Sequence, residues 1–162
     1  MLLTSLVLLG AGCSETSVPA VSSREEPRAA SRPALERYDL GRDEERGGHT
    51  LKKHVGRTDA ELQERLEQER NISAASTWTD RETAETTVAA ALRADHGRIE
   101  SWRRRGYPRA NLALHYEAER VIGRSLRRGE SHTVDCSSAV IVLRADGSDD
   151  FYVLTTYPEA RQ

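Results

Sequence analysis

A short segment between Gly47 and Arg65 concentrates side chains that can act on a phosphate group. It reads GGHTLKKHVGRTDAELQER and holds two histidines, two lysines and two arginines. Histidine takes up and releases protons near neutral pH because its unperturbed pKa is roughly 6.5, and lysine and arginine neutralise anionic oxygens. The composition therefore favours phosphate chemistry. The alternative is a solvated basic edge with two ordinary histidines, which is the commoner meaning of a charge run.

The two histidines of this segment, His49 and His54, are five residues apart and follow two glycines. That spacing does not put them on one helix face, so we expect Gly47 to Gly56 to form a loop or short irregular turn. Functional residues are often carried on loops. The chain has no cysteine or carboxylate cluster at ligand spacing near them, so no metal site and no cofactor are predicted.

A helix is predicted after Thr58, because Thr58 and Glu61 have the spacing of a capping box. Leu62 and Leu66 lie one turn apart, and Arg65 falls beside this apolar stripe. Its guanidinium could therefore reach the site that the histidines face. The alternative is an ordinary ion pair with one of the acidic residues of the same helix, which are Glu61, Glu64, Glu67 and Glu69.

Further helices are predicted downstream. The sequence Thr79-Asp80-Arg81-Glu82 repeats the capping pattern, and Ala84, Val88, Ala91 and Leu92 give the apolar stripe of a helix that ends near Ala94 to His96. Ser76 precedes this helix and could donate to a phosphate at its N-terminus. A third, short helix contains Ile99 and Trp102 and ends before Gly106 and Pro108.

The pattern then changes to the alternation that is typical of β-strands. Strands are predicted at Leu112 to Tyr116, Val121 to Leu126, Thr133 to Arg144 and Asp150 to Tyr157. The last two are separated by Ala145-Asp146-Gly147-Ser148, whose residues tolerate the turn of a hairpin. Helices followed by strands predict an α+β fold with an antiparallel sheet.

Charge is unevenly distributed. The whole chain has a formal net charge of -2, which is not typical of a nucleic-acid binder. The interval from Arg98 to Arg128, however, holds nine arginines and three glutamates. This basic belt could bind an RNA backbone, although charge runs are more often solvated faces.

The N-terminus has the features of an export signal. Residues 1–13 are nearly all apolar or small and end in Cys13, and they resemble a bacterial lipoprotein signal whose cysteine is lipidated. Residues 14–44 have no hydrophobic periodicity and predict a disordered tether, which leaves 45–162 as the folded domain. We expect a protein that is secreted or held on the membrane of the bacterial envelope through Cys13. The second cysteine, Cys136, is interpreted as a buried structural thiol.

Two motifs, in this order, resemble the bacterial RNase A-like toxin domain found at the C-termini of contact-dependent inhibition effectors. The first is GGHTL-x-x-HVGRT-x-x-EL-x-x-R-L from Gly47 to Leu66, and the second is YVLTTYP from Tyr152 to Pro158. The resemblance implies helices followed by a bent antiparallel sheet, with the active site in its concave face. It also implies a metal-independent endoribonuclease toxin, with RNA as substrate, tRNA as one candidate, and a cognate immunity protein as partner.

The resemblance places catalytic roles on four residues, which are His54, Arg65, Thr155 and Tyr157. His54 would act as general acid or base and Arg65 would hold the phosphate. Thr155 and Tyr157, two residues apart on one strand, would donate hydrogen bonds from the same face, with Tyr157 a candidate acid. Further substrate contacts are expected from His49, Lys53 and Ser76. The alternative function is a non-catalytic, lipid-anchored envelope binding protein.

Overall fold

In the computed structural model, which describes residues 37–147 and 149–160, two three-stranded antiparallel sheets are combined with five helices. The helices are α1 (Leu40–Glu45), α2 (Thr50–His54), α3 (Asp59–Gln68), α4 (Arg81–Ala94) and α5 (His96–Arg103). The strands are β1 (Ala74–Trp78), β2 (Leu112–Glu117), β3 (Gly123–Arg127), β4 (Val134–Cys136), β5 (Ser138–Asp146) and β6 (Asp150–Glu159). The predicted α+β class with antiparallel pairing is confirmed.

The two sheets have the strand orders β1-β3-β4 and β2-β5-β6. Strands β5 and β6 form the predicted hairpin, and Asp146 pairs with Asp150 across its turn. The sheets are linked where the indole N–H of Trp78, on β1, donates to the carbonyl of Thr156 on β6, at 3.1 Å. This link brings the early strand β1 and the last strand β6 close together.

Two strand predictions are corrected. Strand β1, with the sequence AASTW, was not predicted, and it lies between α3 and α4 rather than after the helices. Four successive residues of β1 are buried, so it lacks the polar and apolar alternation that signals a half-exposed strand. The single strand predicted from Thr133 to Arg144 is divided at Ser137, with β4 in one sheet and β5 in the other.

The core has two parts. The larger one packs α4 and α5 against the sheets through buried side chains that include Trp78, Val88, Trp102, Leu114, Ile122, Ile141 and Val153. In the smaller one, Leu62 and Leu66 of α3 pack on Ala75 of β1 and Leu126 of β3. The apolar stripe predicted for α3 therefore fixes this helix beside β1, and with it the position of Arg65.

The domain starts earlier than predicted. Helix α1 falls inside the segment 14–44 that was expected to be a disordered tether, and Leu40 and Asp43 are both buried in the domain. Residues before the boundary expected at residue 45 are therefore part of the folded structure. Residues 1–36, which include Cys13, the signal segment and most of the predicted tether, lie outside the described residues. Among the residues that the structure describes, no helix is long and apolar enough to cross a membrane.

Candidate active site

One cavity of about 670 Å³ collects most of the residues predicted to do chemistry. Six of the seven predicted catalytic and substrate-contact residues line it, and these are His49, His54, Arg65, Ser76, Thr155 and Tyr157. They come from α2 and its N-cap, α3, β1 and β6, so segments distant in sequence meet at one place. The seventh, Lys53, does not line the cavity.

The segment from Gly47 to Gly56 is more ordered than predicted, because Thr50–His54 forms the one-turn helix α2. This helix is bonded to β6 near its start: the backbone N–H of His49 donates to the carbonyl of Leu154 at 3.0 Å, and the N–H of Thr156 donates to the Thr50 hydroxyl at 3.0 Å. Val55 then pairs with Trp78 of β1. His54, the last residue of α2, is thereby held between β1 and β6.

The two glycines of the GGH sequence have separate structural reasons. Gly47 has a φ of 104°, a backbone conformation that side chains other than glycine rarely adopt. At Gly48, a Cβ atom would lie 2.8 Å from the carbonyl oxygen of Val153 and 2.9 Å from that of Asp43. Glycine is required at position 48 because the connection between α1 and α2 passes this close to β6.

A β-bulge in β6 shapes the opposite wall of the cavity. Val142 of β5 pairs with Thr155, whereas the next residue, Leu143, pairs with Val153, so Leu154 is the extra residue. The carbonyl of Leu154 is the group that accepts the N–H of His49. Bulges redirect neighbouring side chains and are frequent beside active sites. This bulge provides the docking point for α2 and sits directly before Thr155.

His54 is buried, with 6% of its surface exposed. Its Nδ1 lies 3.3 Å from the carbonyl oxygen of Ser76 and 3.4 Å from Nη1 of Arg65. These contacts require opposite states of Nδ1, and a neutral ring that donates from Nδ1 to Ser76 leaves Nε2 unprotonated. Burial, followed by the charge of Arg65, lowers the pKa of His54 to about 3. His54 is therefore a neutral imidazole at neutral pH, suited to accept a proton.

Arg65 is held in place by polar groups around it. Its Nε lies 3.3 Å from a carboxylate oxygen of Glu69, and its Nη1 donates to the carbonyl of Lys53 at 3.4 Å. The ammonium of Lys53 lies 3.6 Å from the same Glu69 oxygen. Arg65 therefore has both of the roles considered for it: it pairs with Glu69, and it also lines the cavity. Lys53 thus helps to hold Arg65 in place, and its role as a substrate contact stays a prediction.

Ser76 differs from its predicted setting. It lies within β1 and not at a helix N-terminus, because α4 begins at Arg81 with Asp80 as its cap. Its carbonyl orients the ring of His54, while the residue itself lines the cavity. Local sequence pattern did not indicate this position, because Ser76 comes next to α2 through tertiary contacts, which are the bridge of Val55 to Trp78 and the contact of the His54 ring with the Ser76 carbonyl.

Several polar groups of the cavity make no hydrogen bond with the part of the chain that the structure describes. The hydroxyl of Thr155 is buried without a hydrogen bond. Within residues 37–147 and 149–160, no hydrogen bond involves the ring of His49 or the hydroxyl of Tyr157, whose rings lie 6.5 Å and 5.5 Å from the ring of His54. Buried polar groups are nearly always satisfied, so these are suited to a bound polar ligand.

The pKa values of Tyr157 and His49 are shifted in opposite directions. Burial, followed by the charge of Glu159, raises the pKa of Tyr157, so its hydroxyl keeps its proton and can donate. Burial, followed by Lys53 and Arg65, lowers the pKa of His49. Arg65, a hydroxyl pair and two imidazoles together match the charge and hydrogen-bonding needs of a phosphodiester.

A second cation at the cavity, Arg127, was predicted only as one member of the basic belt. Its Nη2 donates to the carbonyl of Ala160 at 3.2 Å, and its side chain lines the cavity. Other belt arginines are used within the fold: Arg124 pairs with Asp59 at 2.7 Å, and Arg128 donates to the carbonyls of Glu69 and Ile72. Arg124 and Arg128 are therefore engaged within the fold, and Arg127 is the belt arginine that lines the cavity.

Asp43 is a support residue with no signal in the sequence. One oxygen of its buried carboxylate accepts from the N–H of Val153 at 2.6 Å and from the hydroxyl of Tyr38 at 2.8 Å, and its backbone carbonyl accepts from Gly48 at 2.9 Å. Burial raises the pKa of Asp43. These bonds fix the turn before His49 against β6.

Two further predictions concern groups outside this chemistry. Cys136 is buried on β4, and burial, followed by nearby acids, raises the pKa of its thiol to about 11, in agreement with a structural role. Within the described part of the chain, no group of three or more His, Cys, Asp or Glu residues is arranged to hold a metal ion.

Comparisons with known proteins agree with the geometry. The family model described as the bacterial CdiA-CT RNAse A domain matches residues 48–158. A solved structure, the CdiA-CT/CdiI complex from Y. kristensenii 33638, is similar at 32% sequence identity with a TM-score of 0.63, over 70% of this chain and 100% of that chain. A comparison with curated proteins found no match. The family match extends over more than half of the chain and includes the second motif and all of the first except Gly47. The chain therefore belongs to the bacterial CdiA-CT RNAse A domain family, a family of ribonuclease domains.

Proposed function

We propose that this protein is a toxin endoribonuclease that cleaves RNA by attack of a 2'-hydroxyl on the adjacent phosphate, without a metal ion. The observation that carries the proposal is the content of one cavity: a buried neutral imidazole, His54, next to the guanidinium of Arg65 and to the hydroxyls of Thr155 and Tyr157, which have no hydrogen-bond partner among the described residues. Membership in the ribonuclease family supports it.

The first step is proton removal by His54. With Nδ1 donating to the carbonyl of Ser76, Nε2 accepts the proton of the ribose 2'-hydroxyl. The 2'-oxygen forms a bond to phosphorus, and the bond from phosphorus to the 5'-oxygen breaks. The products are a 2',3'-cyclic phosphate and a free 5'-hydroxyl once the leaving oxygen has gained a proton. No water is consumed in this step.

Charge that develops on the phosphoryl oxygens is met by fixed donors. Arg65 is held by Glu69 before substrate binds, so little reorganisation accompanies the reaction. The hydroxyls of Thr155 and Tyr157 donate to the same oxygens.

The substrate class follows from the groups that surround the reacting phosphate. Arg127 and His49 line the same cavity and would contact neighbouring parts of an RNA chain, and tRNA is one candidate substrate. A DNA strand lacks the 2'-hydroxyl that the proposed attack requires, so the protein would bind DNA without cutting it.

The proposal is tested by incubating the full-length protein with tRNA in EDTA and analysing the ends of the products. We expect cleavage with 2',3'-cyclic phosphate ends and no cleavage of the matching DNA strand. Intact tRNA at high protein concentration would favour the non-catalytic envelope binding protein, and activity that requires added metal would contradict the metal-independent mechanism.

A cognate inhibitor protein is the expected partner of such an enzyme. The similar solved structure is a complex of CdiA-CT with a second protein, CdiI, which supports a protein partner for this chain as well. We propose an acidic surface on that partner, because Arg65 and Arg127 line the cavity that it would block. Harmless high-level expression of the protein in a cytoplasm that lacks the inhibitor would contradict both toxicity and the need for the partner.

We further propose that the protein is secreted or anchored in the envelope through a lipid on Cys13. The support is the run of apolar and small residues that precedes this cysteine. Metabolic labelling with a fatty-acid analogue is expected to mark the wild type and not Cys13→Ser, and equal labelling would remove the anchor.

A further inference from the structure

Cleavage leaves one proton transfer without a donor. The 5'-oxygen departs as a strongly basic alkoxide unless a group in the site supplies a proton as the bond breaks. His54 begins the reaction neutral, and burial raises the pKa of Tyr157, so that its phenol holds its proton tightly. The inference that follows rests on the proposed function and adds to it a residue for this second transfer.

His49 lies on the same cavity as His54 without touching it. The ring centroids are 6.5 Å apart and the ring planes are tilted by 38°. Hydrogen bonds are roughly 3 Å long, so a phosphodiester that lies beside the two rings, and not on the line between their centres, can contact a nitrogen of each. The two rings are therefore spaced so that one phosphodiester could reach both.

The position of His49 is fixed although its ring is free. Its backbone N–H is bonded to the carbonyl of Leu154, the bulge residue next to Thr155, so the same feature of β6 locates His49 and a phosphate donor. Its ring is half-buried and makes no hydrogen bond with the described residues. It also forms no cap on α2, the role that its place before this helix would suggest. Replacing the His49 ring therefore breaks no hydrogen bond with the described residues.

We propose that His49, as an imidazolium, donates the proton to the departing 5'-oxygen. In the balanced step, His54 takes the proton of the 2'-hydroxyl, the 2'-oxygen bonds to phosphorus, the bond to the 5'-oxygen breaks, and His49 gives its proton to that oxygen. The enzyme is left with a protonated His54 and a neutral His49. Exchange with water restores both states.

Charged groups from each neighbouring element act on His49. Glu44 of α1 and Glu69 at the end of α3 favour its protonated form, whereas Lys53 of α2 and Arg65 of α3 oppose it, as does burial. His54, Tyr157, Glu159 and Arg127 are the other titratable or charged groups that line the same cavity. The opposing influences are the larger, so the pKa of His49 lies below its usual value.

The direction of this shift gives a pH dependence. A proton donor is active below its pKa, so cleavage of ordinary RNA should fall as pH rises through the lowered pKa of His49. A base is active above its pKa, so cleavage should also fall as pH drops towards about 3, the pKa of His54. The optimum is expected at mildly acidic pH.

The test separates the two proton transfers by the choice of leaving group. Two substrates are compared. One is a ribodinucleotide that the wild-type protein cleaves, and the other is the para-nitrophenyl ester of the same nucleoside 3'-phosphate. An aryl oxide leaves without a proton, so the ester needs the base and not the acid. The full-length wild type, His49→Gln, His54→Ala and His96→Gln are assayed on both substrates. His96 is an exposed histidine at the start of α5, away from the cavity, and serves as the matched control.

We expect His49→Gln to lower kcat/KM for the dinucleotide by at least about 10²-fold and to leave that for the ester within about threefold. His54→Ala should lose both activities, and His96→Gln should keep both. For the wild type, the fall at high pH should be present with the dinucleotide and absent with the ester. Retained ester cleavage shows at the same time that His49→Gln is folded.

Three results would overturn the assignment. Equal losses on both substrates would make His49 a binding or structural residue. Undiminished dinucleotide cleavage by His49→Gln would move the acid role to another group, with Tyr157 the first to examine. Failure of the wild type to cleave any ribodinucleotide or ester would overturn the proposed function itself, and is distinguished from the first two because it does not depend on a variant.

Discussion

One wall of the cavity carries the two imidazoles and another carries the two hydroxyls. Different contacts hold these two walls in place. Strand β6, which carries Thr155 and Tyr157, is paired along its length with β5 and has Val153 and Thr156 in the interior. The segment Tyr38 to Val55, which we name the docking segment, carries both imidazoles. It is fixed to β6 by hydrogen bonds from a few groups, and it packs on the core through Leu40, Leu51 and Val55.

Because of this difference, some variants should move the catalytic groups, and others should remove a contact to the phosphate without moving them. Loss of one of these hydrogen bonds can move the base while leaving the hydroxyls in place, because the bonds set how the imidazoles lie against β6. Changes on β6 or α3 can remove a phosphate contact without moving the base. Variants of the two regions should therefore differ in whether stability falls together with activity.

The largest effect on activity alone is expected at Arg65. Arg65→Lys keeps the charge but loses the planar arrangement of donors that Glu69 and the Lys53 carbonyl hold in place. We expect kcat/KM for RNA to fall by about 10²-fold with little change in melting temperature. Arg70→Lys, on an exposed arginine near the end of α3, is the matched control and should retain full activity. Similar activities for the two variants would remove the phosphate role of Arg65.

The docking segment should respond most strongly at Asp43. Asp43→Ala leaves the N–H of Val153 and the hydroxyl of Tyr38 without their acceptor, and each buried group left unpaired costs about 1–3 kcal/mol. We expect the free energy of unfolding, measured in urea, to fall by about 3 kcal/mol and RNA cleavage to fall with it. Asp43→Asn keeps an acceptor oxygen and should lose less. An unchanged free energy of unfolding in Asp43→Ala would contradict the docking account.

A smaller effect on activity is expected on β6. Thr155→Val replaces a hydroxyl that is buried without a partner, so the free protein loses no hydrogen bond and should be as stable as the wild type. Loss of one neutral donor to the phosphate should lower kcat by about tenfold, since a hydrogen bond contributes about 1 kcal/mol or somewhat more. Unchanged kcat, together with unchanged stability, would leave the hydroxyl of Thr155 without a role.

The smallest effect is expected at Lys53. Its ammonium pairs with Glu69 at a partly exposed position and does not line the cavity. Exposed ion pairs contribute about 0–1 kcal/mol, so Lys53→Ala should keep RNA cleavage within about threefold of the wild type. A fall in RNA cleavage of tenfold or more, together with a weaker dependence of cleavage on salt concentration, would show that Lys53 contacts RNA.

The sequence predicted what depends on local pattern. The capping box of Thr58 and Glu61 is present with both of its hydrogen bonds, and alternation located the strand after Leu112 and the final hairpin. Strand β1 was missed because it is buried on both faces and shows no alternation. Helix α2 was missed because one turn of helix has no period to detect.

The features that complete the site arise from tertiary structure. The bulge at Leu154 depends on the register between β5 and β6. No residue type in either strand indicates that register in the sequence. Asp43 lies in a charged stretch that has the composition of a tether, and its carboxylate acquires a role only against the N–H of Val153. Motifs therefore indicated which side chains meet, whereas the groups that hold them in place became visible only in the fold.

The central claim is that the neutral imidazole of His54 is the base for RNA cleavage without a metal ion. The most direct measurement is the rate of RNA cleavage in EDTA by the wild type and by His54→Ala, with thermal melting of both proteins as the test of folding. We predict that the variant remains folded and cleaves at least about 10²-fold more slowly, while the wild type yields 2',3'-cyclic phosphate ends. Equal rates for the two proteins would contradict the claim.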